Sequence, residues 1–439
     1  MFSMIGLVGG LILLIVLTMR GMNLLVAGPL CALVVAVFSG MPLFPQLVGE
    51  GESNFLTNYM GGFSGFITSW FPMFLLGAIF GKVMEDSGAA DSVSKWLVEK
   101  FGIKKAVFAI VLSCAVLTYG GVSLFVVAFS VFPMALSLFK QADLPRRFIP
   151  SALAFGSVTF TMTSAGSPEI QNWIPIDYLN TTAYAGWEVS LIVAVFMMIF
   201  GYWWLKRMIN KAVGRGERFE ARETDPVVEN RKLPNPALSA IPLIVVLAIS
   251  FIFHDELLTS ALIIALLGGI IATYVLNRKY FINFGKAMSE GTIGALIAIG
   301  NTAAVVGFGG VAKAVPAFNV AVDAMTSIPG SPLLGGAIAV SVIAGLTGSA
   351  SGGQVIALPL LAPHYMEMGV NTEALHRTVA ISSGALDSLP HNGYVVTTIR
   401  GVCGETHKDA YGPVGIVTVI VPLIGLGIAI ALFSLGLGI

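Results

Sequence analysis

The chain has 439 residues, of which 56% are hydrophobic and 11% charged, and its formal net charge is zero. A soluble domain carries about a quarter charged residues, so the composition excludes an ordinary soluble enzyme and fits a polytopic membrane protein of about ten to twelve spans. Zero net charge argues against a nucleic-acid partner, and Cys31, Cys114 and Cys403 are too dispersed for a metal site or a disulfide framework.

Apolar runs predict spans at about 4–19, 23–41, 65–84, 148–174 and 187–205 in the first half. The second half gives about 237–253, 257–276, 290–312, 378–399 and 412–437. The first run follows Met1 without a basic leader or a small-residue cleavage site, so it reads as a retained span. Residues 86–104 have the pattern of a short amphipathic helix at the interface.

Between the third and fourth span of each half lies a segment broken by small residues. The first, at about 106–139, contains Leu117-Thr118-Tyr119-Gly120-Gly121-Val122-Ser123. The second, at about 333–366, contains Leu346-Thr347-Gly348-Ser349-Ala350-Ser351-Gly352. Arms such as 106–117 and 333–346 are only about 20 Å long at 1.5 Å per residue, against a hydrocarbon core of about 30 Å. Each pair is therefore read as a re-entrant hairpin. The Leu-Thr pairs lie 229 residues apart, as do Gly81 and Gly310, while Pro133 and Pro363, and Arg147 and Arg377, lie 230 apart. The offset predicts two repeats, 1–212 and 237–439, joined by a polar linker at 213–236.

Each half then crosses an odd number of times, which inverts one repeat relative to the other. With both termini outside, 22 of the 24 basic residues fall on the cytoplasmic side and only Lys313 and Arg377 fall outside, in accord with the positive-inside rule. The first hairpin then enters from the cytoplasm and the second from the exterior. The polar stretch 206–236 reads as a plain cytoplasmic linker. The predicted fold class is an all-α membrane protein of two inverted repeats. Each repeat has about five spans, a re-entrant hairpin and a broken span.

The span after each hairpin carries its own break. The first is Thr161-Met162-Thr163-Ser164-Ala165-Gly166-Ser167-Pro168-Glu169-Ile170-Gln171-Asn172. The second is Ser382-Ser383-Gly384-Ala385-Leu386-Asp387-Ser388-Leu389-Pro390-His391-Asn392-Gly393. Lipid cannot hydrogen-bond an unwound backbone, so such breaks line protein or a watery cavity, and matching breaks in two halves point to a transporter's substrate site. Helix N-termini exposed there favour a carboxylate, and exposed carbonyls can hold Na⁺. The substrate-binding candidates are Thr118, Gly120, Gly121, Ser123, Ser164, Ser167, Thr347, Ser349, Ser351, Gly352, Ser383 and Asn392. The ion-coupling candidates are Asp387, His391 and Glu169, the ionisable groups within predicted spans. Asp387 and His391 are four residues apart and would share a helix face unless Pro390 breaks it. No Lys or Arg is expected deep in a span, so dipoles and hydroxyls would hold the anion. His364, His376, His407, Trp70, Trp173 and Trp187 read as interfacial anchors. No hydrolase elbow, phosphate loop or zinc helix motif occurs, and no cofactor or catalytic residue is expected.

A wider likeness rests on Gly77-Ala78-Ile79-Phe80-Gly81-Lys82-Val83-Met84-Glu85-Asp86-Ser87-Gly88-Ala89-Ala90 and Lys100-Phe101-Gly102-Ile103-Lys104-Lys105, with Leu346-Thr347-Gly348-Ser349-Ala350 and Ile381-Ser382-Ser383-Gly384 in the second half. These resemble the gluconate permease family of GntP-type proton symporters, over nearly the full length. The resemblance implies a homodimer in the cytoplasmic membrane and an elevator-like movement of the hairpin-bearing domain. The first tip, Tyr119-Gly120-Gly121, lacks the family's acidic residue. The histidine-proline-rich break is replaced by Ser164-Ala165-Gly166-Ser167-Pro168, and the late His/Asp segment by Ser388-Leu389-Pro390-His391-Asn392-Gly393. These departures favour a smaller, less hydroxylated acid, such as 3-hydroxybutyrate or another short monocarboxylate. The expected function is symport of a small organic anion with H⁺ or Na⁺, the first spans and the last of each half forming the scaffold. A Na⁺/H⁺ antiporter on a similar architecture is the first alternative, ahead of a channel and an intramembrane enzyme.

Overall fold

Asparagine side chains start the two longest helices. Asn54 accepts a hydrogen bond from the amide of Thr57 at 2.9 Å, and Asn283 accepts one from that of Lys286 at 2.9 Å, satisfying amides that a helix start leaves bare. The two caps lie 229 residues apart, the offset of the glycine breaks. The computed structural model describes residues 2–49, 51–222, 225, 232–326 and 331–438. Among these the regular structure is entirely helical.

In the first half the helices are α1 (Phe2–Met19), α2 (Leu24–Phe38), α3 (Phe55–Asp86), α4 (Ala89–Phe101), α5 (Ala106–Tyr119), α6 (Leu124–Gln141), α7 (Ile149–Ala154), α8 (Ile176–Leu179) and α9 (Trp187–Gly214). In the second they are α10 (Pro236–Leu257), α11 (Thr259–Asn277), α12 (Phe284–Lys313), α13 (Pro316–Thr326), α14 (Pro332–Thr347), α15 (Ala350–Glu367), α16 (Thr372–Leu386), α17 (Gly393–Val396), α18 (His407–Gly415) and α19 (Val421–Ser434). A π-helical turn, Phe155–Thr159, extends α7, another, Thr397–Val402, extends α17, and a third, Ile416–Ile420, joins α18 to α19. Both halves thus run two helices, a long helix, a short one, a helical hairpin, a broken helix and a final helix.

Among the described residues seven helices are long and apolar enough to cross a membrane, or eight with the α4–α5 pair, which is bent by 106°. Ten spans are expected from hydropathy. Four of the ten are missing: α1 and α2 are apolar but short, the apolar run 148–174 is helical only to Thr159, and 378–399 is split between α16 and α17; the hairpin arm α6 is long and apolar enough to be counted in their place. The hairpin arms α6 and α15 have 18 residues each, about 27 Å, longer than the sequence reading allows.

The long helices α3 and α12 form an antiparallel pair. A Cβ on Gly62 would stand 2.6 Å from the carbonyl oxygen of Val306, and one on Gly291 would stand 2.7 Å from the Cα of Ile79. Small residues allow this approach where lipid offers no hydrophobic drive between helices. Helices α1, α2, α10 and α11 pack around the pair; Tyr59 donates to the carbonyl of Ala304 at 3.3 Å beside α2. A separate apolar core of Leu7, Leu14, Cys31, Val35, Phe308 and Val311 ties α1 and α2 to α12. Outward, Leu191, Ile199, Ile244, Phe251 and Ile271 are exposed, the apolar surface that lipid requires.

The hairpins and broken helices form a second packing group, and α9 and α19 belong to it. Gly425 of α19 sits against Met197 of α9, and Gly186 at the start of α9 sits between Phe433 and Arg377. The expectation that the last helix of each half joins the first ones is therefore corrected. Helix α9 also packs on the π-helical turn after α7, where Gly201 meets Phe155.

The polar linker is shorter than its composition suggests, because α9 continues to Gly214. The described linker residues beyond Gly214 are docked rather than free. Arg147 Nε bonds Glu217 at 2.7 Å, Arg146 bonds Asp225 at 2.9 Å and Glu405 at 2.7 Å, and Arg222 bonds Glu405 at 3.0 Å. The linker thus touches the start of the first broken helix and the end of the second. Arg147 holds the Glu217 carboxyl below its ordinary value of 4.5.

Candidate functional site

Helix α7 and its π-helical turn end at Thr159, where the sequence gives way to Thr, Ser and Gly. Residues 160–175 are irregular apart from one 3-10 turn, Ile170–Asn172. Irregular backbone at this depth needs donors, and buried side chains supply them. Asn172 Nδ2 donates to the carbonyl of Ser164 at 2.7 Å, and Trp173 Nε1 to that of Ser167 at 3.0 Å. Tyr119, at the first hairpin tip, donates to the carbonyl of Ala165 at 2.6 Å.

Arg377 supplies most of the rest. It is fully buried in α16. Its Nε donates to the carbonyl of Ala185 at 3.0 Å and its Nη2 to that of Ala183 at 3.1 Å. Its Nη1 donates to the carbonyl of Thr163 and to Asn172 Oδ1, both at 2.6 Å. This corrects two expectations: a cation does lie deep in the protein, and Arg377 is not part of an outer loop. Its partners are backbone and amide oxygens, so it organises the break instead of gripping an anion directly. His376, Trp173 and Trp70 are likewise buried, at 0%, 0% and 3% exposure, so they are packing groups and not interfacial anchors; Trp187, at 53%, is exposed.

The second break is shorter. Helix α16 ends at Leu386, with Asp387 as its C-cap, and α17 begins after Asn392, whose Oδ1 accepts from Val395 N at 2.9 Å. Asp387 and His391 therefore do not share a helix face. Asp387 accepts from the hydroxyl of Ser388 at 2.9 Å. Asn392 Nδ2 donates to the carbonyl of Gly348 at 3.0 Å, locking the second hairpin tip to the second break.

The two tips turn on glycines with positive φ, Gly121 at 92° and Gly348 at 61°, a region open to glycine at little cost. Gly352, expected at the second tip, instead lies in the first turn of α15, where its amide donates to the cap Ser349 at 3.1 Å.

A cavity of about 570 Å³ joins these elements. Gly121 and Ser123 of the first tip, Gly348, Ser349 and Ser351 of the second, Glu169 and Gln171 of the first break, and Asp387, Ser388 and Asn392 of the second line it. Asn301 and Thr302 of α12 line it too, as do Lys82, Glu85 and Glu290. Of the sequence-predicted residues, Gly121, Ser123, Ser349, Ser351, Asn392, Asp387 and Glu169 are in this wall. Thr118, Gly120, Ser164, Ser167, Thr347, Gly352, Ser383 and His391 stand outside the wall. Ser164 and Thr347 spend their hydroxyls on backbone carbonyls of their own turns, Ser383 bonds Ala380 and Gln354, and His391 packs against Gly348. Sequence reading missed Asn301, although Gly300-Asn301-Thr302 is a polar interruption of an otherwise apolar span.

Comparison with known proteins gives the family. The sequence is 36% identical over 448 aligned residues to an uncharacterized transporter of Bacillus subtilis, YxjC, covering 91% of this chain and 92% of that one. It is 30% identical over 147 residues to a high-affinity gluconate transporter of Escherichia coli, a match covering 33% of this chain and 31% of the relative. The crystal structure of the YdaH transporter of Alcanivorax borkumensis, described as having an unusual topology, superimposes with a TM-score of 0.53 at 15% identity, covering 99% of this chain and 98% of that one. The family profile of the GntP family permeases matches residues 2–436, and the chain belongs to that family.

Proposed function

We propose that this permease is a secondary active symporter that moves a small organic anion across the bacterial cytoplasmic membrane together with H⁺ or Na⁺. The substrate is a gluconate-like sugar acid or a short hydroxy- or monocarboxylate. The observation that carries the reading is the cavity bounded at once by both hairpin tips and both helix breaks. Its volume is in the range of small-molecule sites. Helix starts at the tips and at Asn392 supply amide dipoles suited to a carboxylate, with Ser123, Ser349 and Ser351 beside them.

Coupling follows from the two carboxylates in the same wall, Glu169 and Asp387. Like unit charges 4 Å apart repel by about 4 kcal/mol at an effective dielectric of 20. A substrate anion is favoured there only when a proton or Na⁺ accompanies it, and by reciprocity the anion favours the cation. His391 is not needed for this. The antiparallel α3 and α12, third helices of their halves, support two inverted repeats, bounded as 1–212 and 237–439, and the distribution of basic residues supports both termini outside. The cavity between the hairpin group and α3 and α12 supports an elevator-like movement of that group against them. A homodimer suits the same mechanism.

The test is uptake of a panel of labelled organic acids into proteoliposomes, with pH and Na⁺ gradients imposed separately. Accumulation of one acid class on one gradient is expected. The carboxylate pair also favours a second reading, a Na⁺/H⁺ antiporter; Na⁺-driven proton movement without any organic acid would select it.

A further inference from the structure

A second cavity, of about 270 Å³, lies at the other end of the α3–α12 pair. Ser69 and Trp70 of α3, Lys313 of α12, Ile356 and Pro359 of α15, and Tyr178 of α8 line it. Along α3, Ser69 is thirteen residues from Lys82 of the first cavity, about 20 Å. The wall of the second cavity includes a tight contact: a Cβ on Gly309 would stand 2.6 Å from Ile356.

The two cavities differ in charge. Lys82 in the first is neutralised by Glu85 at 2.9 Å and Glu290 at 3.4 Å. Lys313 in the second is partly buried and has no ion pair or hydrogen bond among the described residues. A cation inside a membrane protein without a counter-charge is costly and marks a functional position. Among the described residues no carboxylate lines this cavity. The lysine gives a point charge, and the hydroxyls of Tyr178 and Ser69 give donors in the same cavity wall.

We propose that Lys313, with Tyr178 and Ser69, is an outer capture site for a small carboxylate, which binds there before it reaches the hairpin tips. The inference rests on the symporter reading and on the placement of the α3 start outside. It accounts for the one basic residue, apart from the buried Arg377, that departs from the positive-inside pattern.

The test uses the full chain in two ways. In proteoliposomes of fixed orientation, Lys313→Gln is expected to raise the half-saturating external concentration of the transported acid about fivefold to tenfold, with maximal rate unchanged; Lys313→Arg is expected to restore it. A change in maximal rate alone, or no change, overturns the proposal. Independently of transport, Ser69→Cys is probed from outside with anionic and cationic thiol reagents; the three native cysteines are buried. The anionic reagent is expected to be favoured at low salt, less so at high salt, and not at all once Lys313→Gln is added. Absence of that preference, its persistence in the double variant, or labelling only from the cytoplasm overturns the proposal. If the preference is found but no organic acid is transported, the capture site stands and the symporter reading fails.

Discussion

Arg377 gives the sharpest test of how the first break is held. Replacing it with methionine keeps the length and removes four hydrogen bonds. The carbonyl of Ala183 keeps a partner, the amide of Gly166 at 3.0 Å. The carbonyls of Ala185 and Thr163 and Asn172 Oδ1 lose theirs. A buried acceptor left unsatisfied costs about 1–3 kcal/mol, so three cost roughly 3–9 kcal/mol. Relief from burying a cation without a carboxylate offsets part of this. A net loss of several kcal/mol is comparable to the whole stability of a typical domain, about 5–15 kcal/mol. Arg377→Met is therefore expected to give little monodisperse protein on size exclusion in detergent. Arg377→Lys, which keeps the charge but not the planar fork, is expected to be folded, to melt lower and to transport slowly. Arg377→Met with wild-type yield, melting temperature and uptake would refute the claim that this side chain holds residues 163–185 in place.

Three further outcomes are expected from the cavity and the linker. Asp387→Asn and Glu169→Gln are expected to lose concentrative uptake on an ion gradient while retaining substrate exchange; if both still concentrate substrate, coupling resides elsewhere. Gly121→Trp and Gly348→Trp are expected to abolish uptake without impairing insertion, whereas Gly352→Ala, whose Cβ would come no closer than 3.1 Å to its nearest neighbour, the Ser349 hydroxyl, is expected to stay within a fewfold of wild type; full uptake by both Trp variants would remove the tips from the site. Glu217→Gln is expected to speed tryptic cleavage near Arg218 in inside-out vesicles at neutral pH. Because Arg147 lowers the Glu217 pKa, this docking is complete above the ordinary value of 4.5 and is lost only as pH falls through the lowered value, so equal cleavage of wild type and variant at pH 7 would count against it.

Much of the fold was legible because the breaks repeat. The 229-residue spacing of the Leu-Thr pairs marked both hairpins, and the Asn54 and Asn283 caps of the long third helices lie at the same spacing. Span ends were less legible. Hydropathy sees the apolar run 148–174 as continuous, yet Trp173 and Asn172 fold back to bond Ser167 and Ser164 and so replace helix with loop. Arg377 was misplaced for the same reason: charge counting assigns a cation to the nearest aqueous loop, and only tertiary contact reveals oxygens waiting for it.

Several hydroxyls of the candidate site are engaged by the backbone. A run of hydroxyls in an apolar segment looks like a ligand cage, but unwound backbone within a membrane must first satisfy itself. Ser164, Thr347 and Ser383 all donate to carbonyls within four residues, so their hydroxyl protons are spent on the fold. Side chains left for substrate are those the backbone does not claim. Among the described residues the Ser123 hydroxyl donates no hydrogen bond and the Glu169 carboxyl accepts none, and Asn301 keeps a carbonyl oxygen without a partner. Asn301 sits on α12, outside the hairpin group, so a substrate that touches both it and Ser349 would bridge the two packing groups. Movement between the groups would then depend on occupancy, which is the physical requirement for moving substrate without leaking the coupling ion.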